Sequence, residues 1–443
     1  MDKLKKAKAT KLMLIVSFLL LSMLLAACTQ DSEDHAGHGN DQNIEHDEEM
    51  DHMDEEMDHD GHHDDSVEVD RSNLEQEAAK APENLNELAT EELKVVNTKN
   101  ITRINEDDPI QFSIHVSQTV WPATHVGNQP GTVILAPLNQ WQYSLTALTL
   151  VHHPNDGPLL YWDGEISDDV LNELNRLQPK GNSEDIQVLV VGDLPEAELN
   201  KLNAYNVEQV QGENAADFAR NIEEKFTETI NEVHPNVIIG SSEEDAKEYT
   251  ISVGNWIAHM NESLLYVDDD GIPQETIDAL NAREDGVTIY LVGPEDIISE
   301  EIAQELETYG TVHRIEGDNP VAQSIEFASF KDAETDFGWG ITSPGHGFVF
   351  SSTNTPELAI VAAPFAHLGK HAPMIWLDEG ELTGEIYQYL ATVKPAFSED
   401  PTEGPYNHGF ITGTFTDISF TTQGILDEKL EIVSLGGDDH GGH

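Results

Sequence analysis

One short apolar segment occurs three times in the sequence, and each copy ends at an aspartate. The copies run from Pro158 to Asp163, from Ser263 to Asp268 and from Pro373 to Asp378. Four apolar residues followed by an acidic residue and a loop are typical of a strand that is buried on both faces of a sheet. Because similar sequence surrounds every copy, we predict three related units that are each built around one such strand.

Strand-like and helix-like segments alternate on both sides of the repeated strand. In the first unit, strand-like segments at 133–136, 187–192 and 207–210 alternate with helix-like segments at 143–151, 168–177 and 196–202. Ser167 is the predicted N-cap of the middle helix. The other two units repeat this order. Alternation of this kind indicates parallel sheets with right-handed crossovers, so we predict an α/β fold with three tandem doubly wound units, flavodoxin-like or Rossmann-like.

The charge of the chain limits its partners. Asp and Glu number 84 and Lys and Arg number 22, which gives a formal net charge of −62. Such a chain repels the phosphates of nucleic acids and the headgroups of anionic lipids, so we expect no nucleic acid partner. Acidic residues throughout a protein are typical of high salt or high pH, where added ions screen self-repulsion. An ordinary extracellular protein with a low pI is the alternative.

The first 28 residues resemble a bacterial lipoprotein signal. Five lysines precede the apolar run Leu12 to Leu25, which is too short for a comfortable membrane span. Leu25-Ala26-Ala27-Cys28 resembles a lipobox, in which the cysteine receives a diacylglycerol and becomes the mature N-terminus. We therefore predict an extracytoplasmic protein, fatty-acylated at Cys28 and anchored to the cell membrane facing the cell wall; an uncleaved anchor is the alternative. Cys28 is the only cysteine, so the chain has no disulfide framework.

An acidic segment rich in His and Met follows Cys28. It has too few aliphatic residues to offset the entropy of ordering, so we predict a disordered tether, with a helix between Leu74 and Val96 that breaks near Pro82. Imidazole, thioether and carboxylate groups at this spacing can bind Zn²⁺, Cu²⁺ or Ni²⁺ without a preformed fold. A solvated acidic spacer is the alternative. The candidate metal ligands are His35, His38, His46, His52, His59, His62 and His63.

These patterns divide the chain into six segments. The predicted boundaries are 1–27 for the signal peptide, 28–98 for the disordered tether, 99–212, 213–318 and 319–435 for the three repeats, and 436–443 for a Gly/His tail.

The repeated unit resembles the type 2 cell-wall-binding repeat, which occurs in threes in surface proteins of Gram-positive bacteria. Three features support the resemblance: the strand, polar loop and Ala/Leu helix before the repeated strand, the later strand that ends in Gly, and the turn Arg314-Ile315-Glu316-Gly317-Asp318. The resemblance covers about residues 100 to 435. It implies three α/β units around a pseudo-threefold axis and non-covalent attachment to an anionic wall polymer.

The chain departs from this family at the turn that opens each unit. The family places an Arg-Tyr pair after the turn, whereas Asn319-Pro320, Glu213-Asn214 and Asp107-Asp108 stand at the corresponding positions here. Without this arginine, direct capture of a polyanion by a guanidinium fork is poorly supported. Ca²⁺ or Mg²⁺ could instead bridge carboxylates of the protein to the polymer.

Two further groups of residues are candidates for ligand binding inside the repeats. Asp163, Asp268 and Asp378 follow the repeated strands, at the sheet edge where open α/β folds place ligands, although loop capping is the simpler role. Before the repeated strands, the histidines occupy corresponding places and could converge on one metal; they are His152, His153, His259, His367 and His371.

No nucleophile elbow, phosphate loop, dinucleotide fingerprint or His-Glu-x-x-His motif is present in the sequence, so we expect no enzyme. The predicted function is adhesion or scaffolding between membrane and wall through the three repeats. The alternative is a surface lipoprotein that captures or buffers transition metals.

Overall fold

The computed structural model describes residues 71–90, 93–283 and 286–435. The predicted signal peptide, Cys28, the tether histidines and the Gly/His tail lie outside these residues. The described residues all lie within one compact unit, Val67–His443. Within the described ranges, no helix has the length and apolar character that crossing a membrane requires.

Three four-stranded parallel sheets form the core of this unit, in agreement with the predicted α/β fold. Helix α1 (Arg71–Ala78) and strand β1 (Ile101–Ile104) precede the first repeat. The first repeat then contains α2 (Pro109–Val120), β2 (Val133–Pro137), α3 (Trp141–Thr146), β3 (Leu159–Trp162), α4 (Asp168–Leu177), β4 (Val188–Val191), α5 (Glu196–Leu199) and β5 (Val207–Val210).

The second and third repeats follow the same plan. The second contains α6 (Ala215–Ile230), β6 (Asn236–Ser241), α7 (Lys247–Ile251), α8 (Gly254–Ile257), β7 (Ser263–Val267), α9 (Gln274–Asn281), β8 (Val287–Val292), α10 (Glu300–Leu306) and β9 (Gly310–Ile315). The third contains α11 (Pro320–Ser329), β10 (Gly347–Ser352), α12 (Pro356–Ala362), β11 (Met374–Leu377), α13 (Gly384–Thr392), β12 (Ala396–Phe397), β13 (His408–Thr412), α14 (Phe420–Leu430) and β14 (Val433–Ser434).

The predicted helix Asp168–Leu177 has the expected bounds, and its N-cap is Ser167, whose side chain accepts a hydrogen bond from the backbone N–H of Val170. The strand β12 pairs only with β14, in a small two-stranded sheet beside the third repeat.

The strand order shows that the three repeats close into a ring. The first two sheets have the orders β3-β2-β4-β5 and β7-β6-β8-β9, with the repeated strand at one edge and the last strand of the repeat at the other. The third sheet has the order β11-β10-β13-β1. Its fourth strand is therefore the first strand of the folded chain, and Ile101 pairs with Gly409 and Ile104 with Thr412.

This pairing corrects the predicted boundaries, because β1 lies inside the segment 99–212 but belongs to the third sheet. The reason is geometric. Each repeat needs four strands, and the third repeat supplies only three of its own to this sheet, so the chain's first strand fills the open edge.

The aromatic residues of the repeated strands carry the contacts between repeats. Tyr161, Tyr266 and Trp376 are buried to 1% exposure or less and occupy equivalent places in β3, β7 and β11. Each donates a hydrogen bond to a backbone carbonyl of the next repeat. The acceptors are Glu357 O at 2.9 Å for Tyr161, Gln142 O at 2.8 Å for Tyr266 and Glu248 O at 2.8 Å for Trp376. The first repeat thus contacts the third, the third the second and the second the first, which is the predicted pseudo-threefold arrangement.

The last part of the predicted tether is ordered, which corrects the disorder expected as far as residue 98. Arg71 in α1 donates to the carbonyl oxygens of Thr392 at 3.1 Å and Lys394 at 2.9 Å, and Lys429 donates to Lys80 O at 2.8 Å. The predicted helix near Leu74 exists but ends at Ala78, before Pro82. These contacts fix the chain to the third repeat before β1 begins.

Candidate functional site

A cleft of about 650 Å³ opens at the amino-terminal edge of the third sheet. It is bounded by the starts of β1, β10 and β13 and by two loops of the third repeat. The lining residues are Asn100, Trp339, Ile341, Gly345, His346, Gly347, Lys370, His371, Tyr406, Asn407 and His408.

Asn407 holds the floor of this cleft in place. Its side-chain carbonyl accepts hydrogen bonds from the backbone N–H groups of Gly345 at 2.8 Å and His346 at 3.2 Å, while its amide donates to Val393 O at 2.8 Å. This buried amide therefore joins the starts of β10 and β13. The residues that face the open space are the aromatic, imidazole and lysine side chains around it.

The cleft lacks the acidic character of the rest of the protein. No lining residue is a carboxylate, and Lys370 forms no ion pair with any described residue. Two acids contact the lining residue Asn100: Asp427 accepts from its backbone N–H at 2.7 Å and Glu431 from its side-chain amide at 3.0 Å. In a chain with a net charge of −62, an anionic or neutral ligand meets less repulsion here than on an acidic surface.

The corresponding edge of the second sheet has different chemistry. A cleft of about 750 Å³ there is lined by Glu307 and Glu334 together with Tyr309, and it has no lysine or tryptophan among its lining residues. The carboxylate-free lining is therefore not a general property of the repeat, and the second-sheet cleft provides a matched control.

Burial favours the neutral form of two histidines of the third-sheet cleft, because it lowers their pKa. Burial, followed by the charge of Lys370, lowers the pKa of His408. Burial, followed by the neighbouring imidazole of His371, lowers the pKa of His346. A neutral imidazole has one donor and one acceptor nitrogen, which suits hydroxyl groups of a ligand.

Two aromatic rings border the same space. Tyr406 is 57% exposed, and the half-buried ring of Trp339 stacks on His259 with centroids 5.5 Å apart and planes 5° apart. Aromatic faces beside a few fixed polar groups are the usual lining of a small-molecule site. Together with the imidazoles and the ammonium group of Lys370, they fit a sugar residue that carries hydroxyls and one negative charge.

A second histidine cluster adjoins the cleft where the three repeats meet. The ring centroids of His152 and His367 are 5.3 Å apart, and those of His259 and His371 are 4.5 Å apart. Burial, and then the imidazoles of His371, His367 and His152, lower the pKa of His259 to about 4. The structure therefore brings together four of the five histidines that the sequence placed before the repeated strands.

The fifth, His153, lies at the exposed rim, where Nδ1 contacts Asp156 at 3.0 Å. Asp156 also accepts from Nε2 of His367 at 2.9 Å, and hydrogen bonds from His367 and then from His153 hold the pKa of Asp156 at about 2. Among the described residues, no group of three or more His, Cys, Asp and Glu side chains could hold a metal ion.

The three aspartates that follow the repeated strands lie at the opposite, carboxyl-terminal edges of their sheets. Asp163 accepts from the side chain of Asn139, Asp268 accepts from the backbone N–H of Asp270 at 3.0 Å, and Asp378 forms a tight turn with Glu381. Within the described part of the chain, the three carboxylates have no hydrogen bond in common. The contacts of Asp163 and Asp268 are those of loop-capping acids, and ligand binding by the three aspartates stays a prediction.

The arginine of the repeat motif has a structural role. Arg314 donates from Nη1 to the carbonyl oxygens of Gly293 and Ile298, both at 2.9 Å. Its equivalents are Arg103 in β1, which donates to Gly413 O at 2.9 Å, and Gln209 in β5, which donates to Gly192 O at 2.8 Å. In every sheet this side chain joins the edge strand, which is β5, β9 or β1, to the glycine that follows the neighbouring strand.

Sequence reasoning missed the main residues of the cleft, which are Trp339, Lys370, Tyr406 and His408. They come from separate loops, and their proximity depends on β1 closing the third sheet. Two signals were available: Gly345-His346-Gly347, and the extra residues between α11 and β10 and between β12 and β13 that the other repeats lack.

The chain matches no protein-family model and no curated protein. Among solved structures, it is similar to Cwp8 from Clostridium difficile, with a TM-score of 0.59, 15% identity, and coverage of 75% of this chain and 52% of that chain. It is also similar to Cwp6 from Clostridium difficile, with a TM-score of 0.58, 14% identity, and coverage of 77% and 50%. The chain spans about half the length of each neighbour. At this identity the similarity shows the α/β fold.

Proposed function

We propose that this protein binds the cell wall from outside the cytoplasmic membrane, and that the cleft of the third repeat binds a saccharide unit of a wall polymer. The carboxylate-free cleft is the observation that carries the proposal. It combines two aromatic rings, three imidazoles and Lys370, which forms no ion pair with any described residue, on a protein whose net charge is −62. A sugar with a single phosphate or carboxylate complements this lining.

The similarity in fold supports the same function. The neighbours Cwp8 and Cwp6 are cell wall proteins of Clostridium difficile. The lipobox-like sequence that ends at Cys28 adds the expectation of a lipid anchor, so that the folded part faces the wall. An acylated cysteine with more than one chain gives firm attachment to the membrane.

We further propose that Ca²⁺ or Mg²⁺ bridges carboxylates of the protein to the wall polymer. The acidic surface outside the cleft supplies oxygen ligands of the type that these ions prefer. Bridging predicts that a chelator releases the protein from the wall, whereas binding by the cleft alone predicts that wall binding persists. The two contributions can therefore be measured on the same sample.

The experiment measures co-sedimentation of the chain, with Cys28→Ser and without the signal peptide, with isolated Gram-positive cell walls and with the polymer extracted from them. We expect Tyr406→Ala to weaken binding about tenfold, because an aromatic contact contributes about 0.5–1.5 kcal/mol beyond the area that it buries. Lys370→Gln should weaken binding to an anionic polymer and reduce its salt dependence.

Tyr309→Ala, at the corresponding edge of the second sheet, is the matched control and should bind as the wild type does. Equal binding by the Tyr406, Lys370 and Tyr309 variants would remove the cleft from the proposal. The absence of any sedimentation with walls, with or without divalent cations, would contradict wall binding itself.

Metal capture by the tether is the alternative function, and it depends on histidines outside the described residues. Deletion of residues 31–70 separates the two functions. Wall retention should survive this deletion if the repeats bind the wall, whereas a metal-dependent phenotype should disappear if the tether captures metal.

A further inference from the structure

Two histidines of the third-sheet cleft stand at the starts of neighbouring strands. His346 immediately precedes β10, and His408 is the first residue of β13. The backbone N–H of His408 donates to the carbonyl oxygen of His346 at 3.1 Å, and both residues line the cleft. The parallel pairing of the two strands therefore brings two imidazoles to one cavity.

Two glycines make room for this arrangement. Gly345 has a φ of +111°, a conformation that residues with a side chain rarely adopt. A Cβ at Gly347 would lie 2.8 Å from both the Cβ and the carbonyl oxygen of Lys370, so the loop that carries Lys370 can pack against the start of β10 only because this residue is glycine. The sequence Gly345-His346-Gly347 thus places His346 and Lys370 at the same end of the strand.

The backbone that carries Lys370 has an unusual conformation. Ala366–Lys370 forms a single π-helical turn, and His371, which follows it, is left-handed with a φ of +45°. In the first repeat the same place is a 3-10 helix, Ala147–Val151. Single π-turns and left-handed residues other than glycine are disfavoured, and they concentrate at functional sites. The third repeat thus departs from the first where it supplies Lys370 and His371 to the lining of the cleft.

The groups that act on the two imidazoles oppose a positive charge on them. Burial lowers the pKa of both rings; after burial, the charge of Lys370 lowers the pKa of His408, and the imidazole of His371 lowers that of His346. An anion bound in the cleft would act in the opposite direction, because a nearby negative charge favours the protonated imidazole. The charge state of the rings therefore depends on what occupies the cleft.

The polar neighbours on the side of β1 and α14 tolerate both charge states. The hydroxyl of Thr102 lies 3.1 Å from Nε2 of His408, and a hydroxyl can donate to a neutral imidazole or accept from a protonated one. The two acids on the side of α14 contact a different residue of the lining, since Asp427 and Glu431 accept hydrogen bonds from Asn100. Protonation of His408 therefore keeps its contact with Thr102.

We propose that His346, His408 and Lys370 form the part of the cleft that binds the negative charge of the ligand, and that an imidazole takes up a proton when this charge binds. The inference rests on the proposed function, because the charge is that of the wall saccharide. It assigns the preference for a charged over an uncharged sugar to these three side chains. Contacts with the sugar ring are left to Trp339 and Tyr406.

The direction of the pH dependence follows from linkage between proton and ligand. An anion beside an imidazole raises the pKa of that ring, so the complex binds more protons than the free protein. Affinity for an anionic ligand should therefore increase as the pH falls through the pKa of the complex, and it should level off below the lowered pKa of the free protein. An uncharged sugar leaves the pKa of the rings unchanged, so its affinity should not depend on pH.

The test uses the chain with Cys28→Ser and without the signal peptide, in which asparagine replaces the tether and tail histidines so that these take up no protons. The ligand is the anionic polymer extracted from Gram-positive walls, and the same polymer after chemical removal of its phosphate and carboxylate groups is the uncharged control. Calorimetry in two buffers of different ionisation enthalpy measures the protons that are taken up on binding. We expect uptake of about half a proton per binding site near the ordinary pKa of imidazole, and an affinity about fivefold higher at pH 5.5 than at pH 7.5.

Three variants assign the effect to residues. The double variant His346→Gln with His408→Gln should lose the proton uptake and should bind about fivefold more weakly at pH 5.5. The amide of glutamine can keep the contact with Thr102, and the unfolding midpoint of the variant verifies the fold. Lys370→Gln should weaken binding at every pH and keep the proton uptake. His125→Gln, at an exposed position outside the cleft, is the matched control.

Binding of the anionic polymer without proton uptake would overturn this inference and leave the proposed function in place. The same pH dependence in the double variant as in the His125 control would overturn it as well, and so would an equal rise in affinity for the uncharged polymer. Absence of binding at every pH would contradict the proposed function and this inference with it, so the two failures are distinguishable.

Discussion

Replacement of Arg103 by methionine tests whether the first strand of the folded chain closes the third sheet. Arg103 is 4% exposed, and its guanidinium donates to Gln423 Oε1 and Ile418 O at 2.8 Å and to Gly413 O and Thr414 O at 2.9 Å. All four acceptors lie more than 300 residues away in sequence. The side chain therefore joins β1 to the loop that follows β13.

The expected loss of stability follows from these bonds and from the cost of burial. Four hydrogen bonds from a charged group at about 2 kcal/mol each give about 8 kcal/mol. Burial opposes this, since it lowers the pKa of Arg103 from 12.5 to about 10, which corresponds to about 3.4 kcal/mol. The difference predicts that Arg103→Met lowers the free energy of unfolding by about 3–5 kcal/mol.

Hydrogen exchange resolved by peptide is the assay, because it reports the stability of each sheet separately. In the variant, amides of β1 and β13 should exchange faster by a factor that corresponds to the lost free energy, while amides of β2 and β6 should keep their protection. Urea denaturation of the same samples gives the global effect.

Arg314→Met in the second sheet is the matched control. Arg314 makes only two such bonds to backbone carbonyls, so its loss should cost about half as much, and the faster exchange should appear in β8 and β9. A loss below about 1 kcal/mol for Arg103→Met, or faster exchange in the first sheet instead of the third, would refute the ring closure.

Three further perturbations test the core and its charges. Burial lowers the pKa of Lys394 from 10.5 to about 8. Because the native protein loses this proton at a lower pH than the unfolded chain does, the free energy of unfolding, measured relative to that of Lys394→Met, should rise by about 3 kcal/mol between pH 8 and 10.5. Urea titrations in which the two proteins show the same pH dependence would contradict this. Tyr161→Phe removes one hydrogen bond between repeats, whereas Tyr266→Phe removes two, because the hydroxyl of Tyr266 also accepts from Thr146 at 3.0 Å. The free energy of unfolding should therefore fall by about 1–2 kcal/mol for Tyr161→Phe and by more for Tyr266→Phe, and a larger loss for Tyr161→Phe would contradict the assignment of these bonds. A Cβ at Gly310 would lie 2.0 Å from Val287 O, so Gly310→Ala should reduce the protection of β9 by more than tenfold in hydrogen exchange; unchanged protection would show that the two strands can separate there.

The repeated strands could be predicted because burial on both faces leaves a continuous apolar run in the sequence. Residues such as Leu160, Leu265 and Ile375 are fully buried, and the helices between them follow from caps and spacing, as at Ser167. The contacts between repeats could only be suggested. The aromatic residue of each repeated strand was visible, but its hydrogen-bond partner is a backbone carbonyl, which any residue supplies.

The ring closure could not be predicted from local pattern. The segment Arg103-Ile104 has a strand-like sequence whether it joins the first sheet or the third. Its pairing with β13 is decided by which sheet has an open edge. The cleft depends on this closure, because Asn100 precedes β1 while Tyr406 and His408 precede or open β13. The convergence of the histidines was foreseeable because they occupy the same place in each repeat. The single π-helical turn Ala366–Lys370, which contains His367, has no clear signal in the sequence.

The most direct test of the account is hydrogen exchange of the chain with and without solubilised wall polymer. The account predicts new protection in peptides that contain Trp339 to Gly347, Lys370 to His371 and Tyr406 to His408, with no change at the corresponding edge of the second sheet around Tyr309. Protection confined to the opposite edges, around Asp163, Asp268 and Asp378, would contradict the cleft, and no protection anywhere in the three repeats would contradict wall binding.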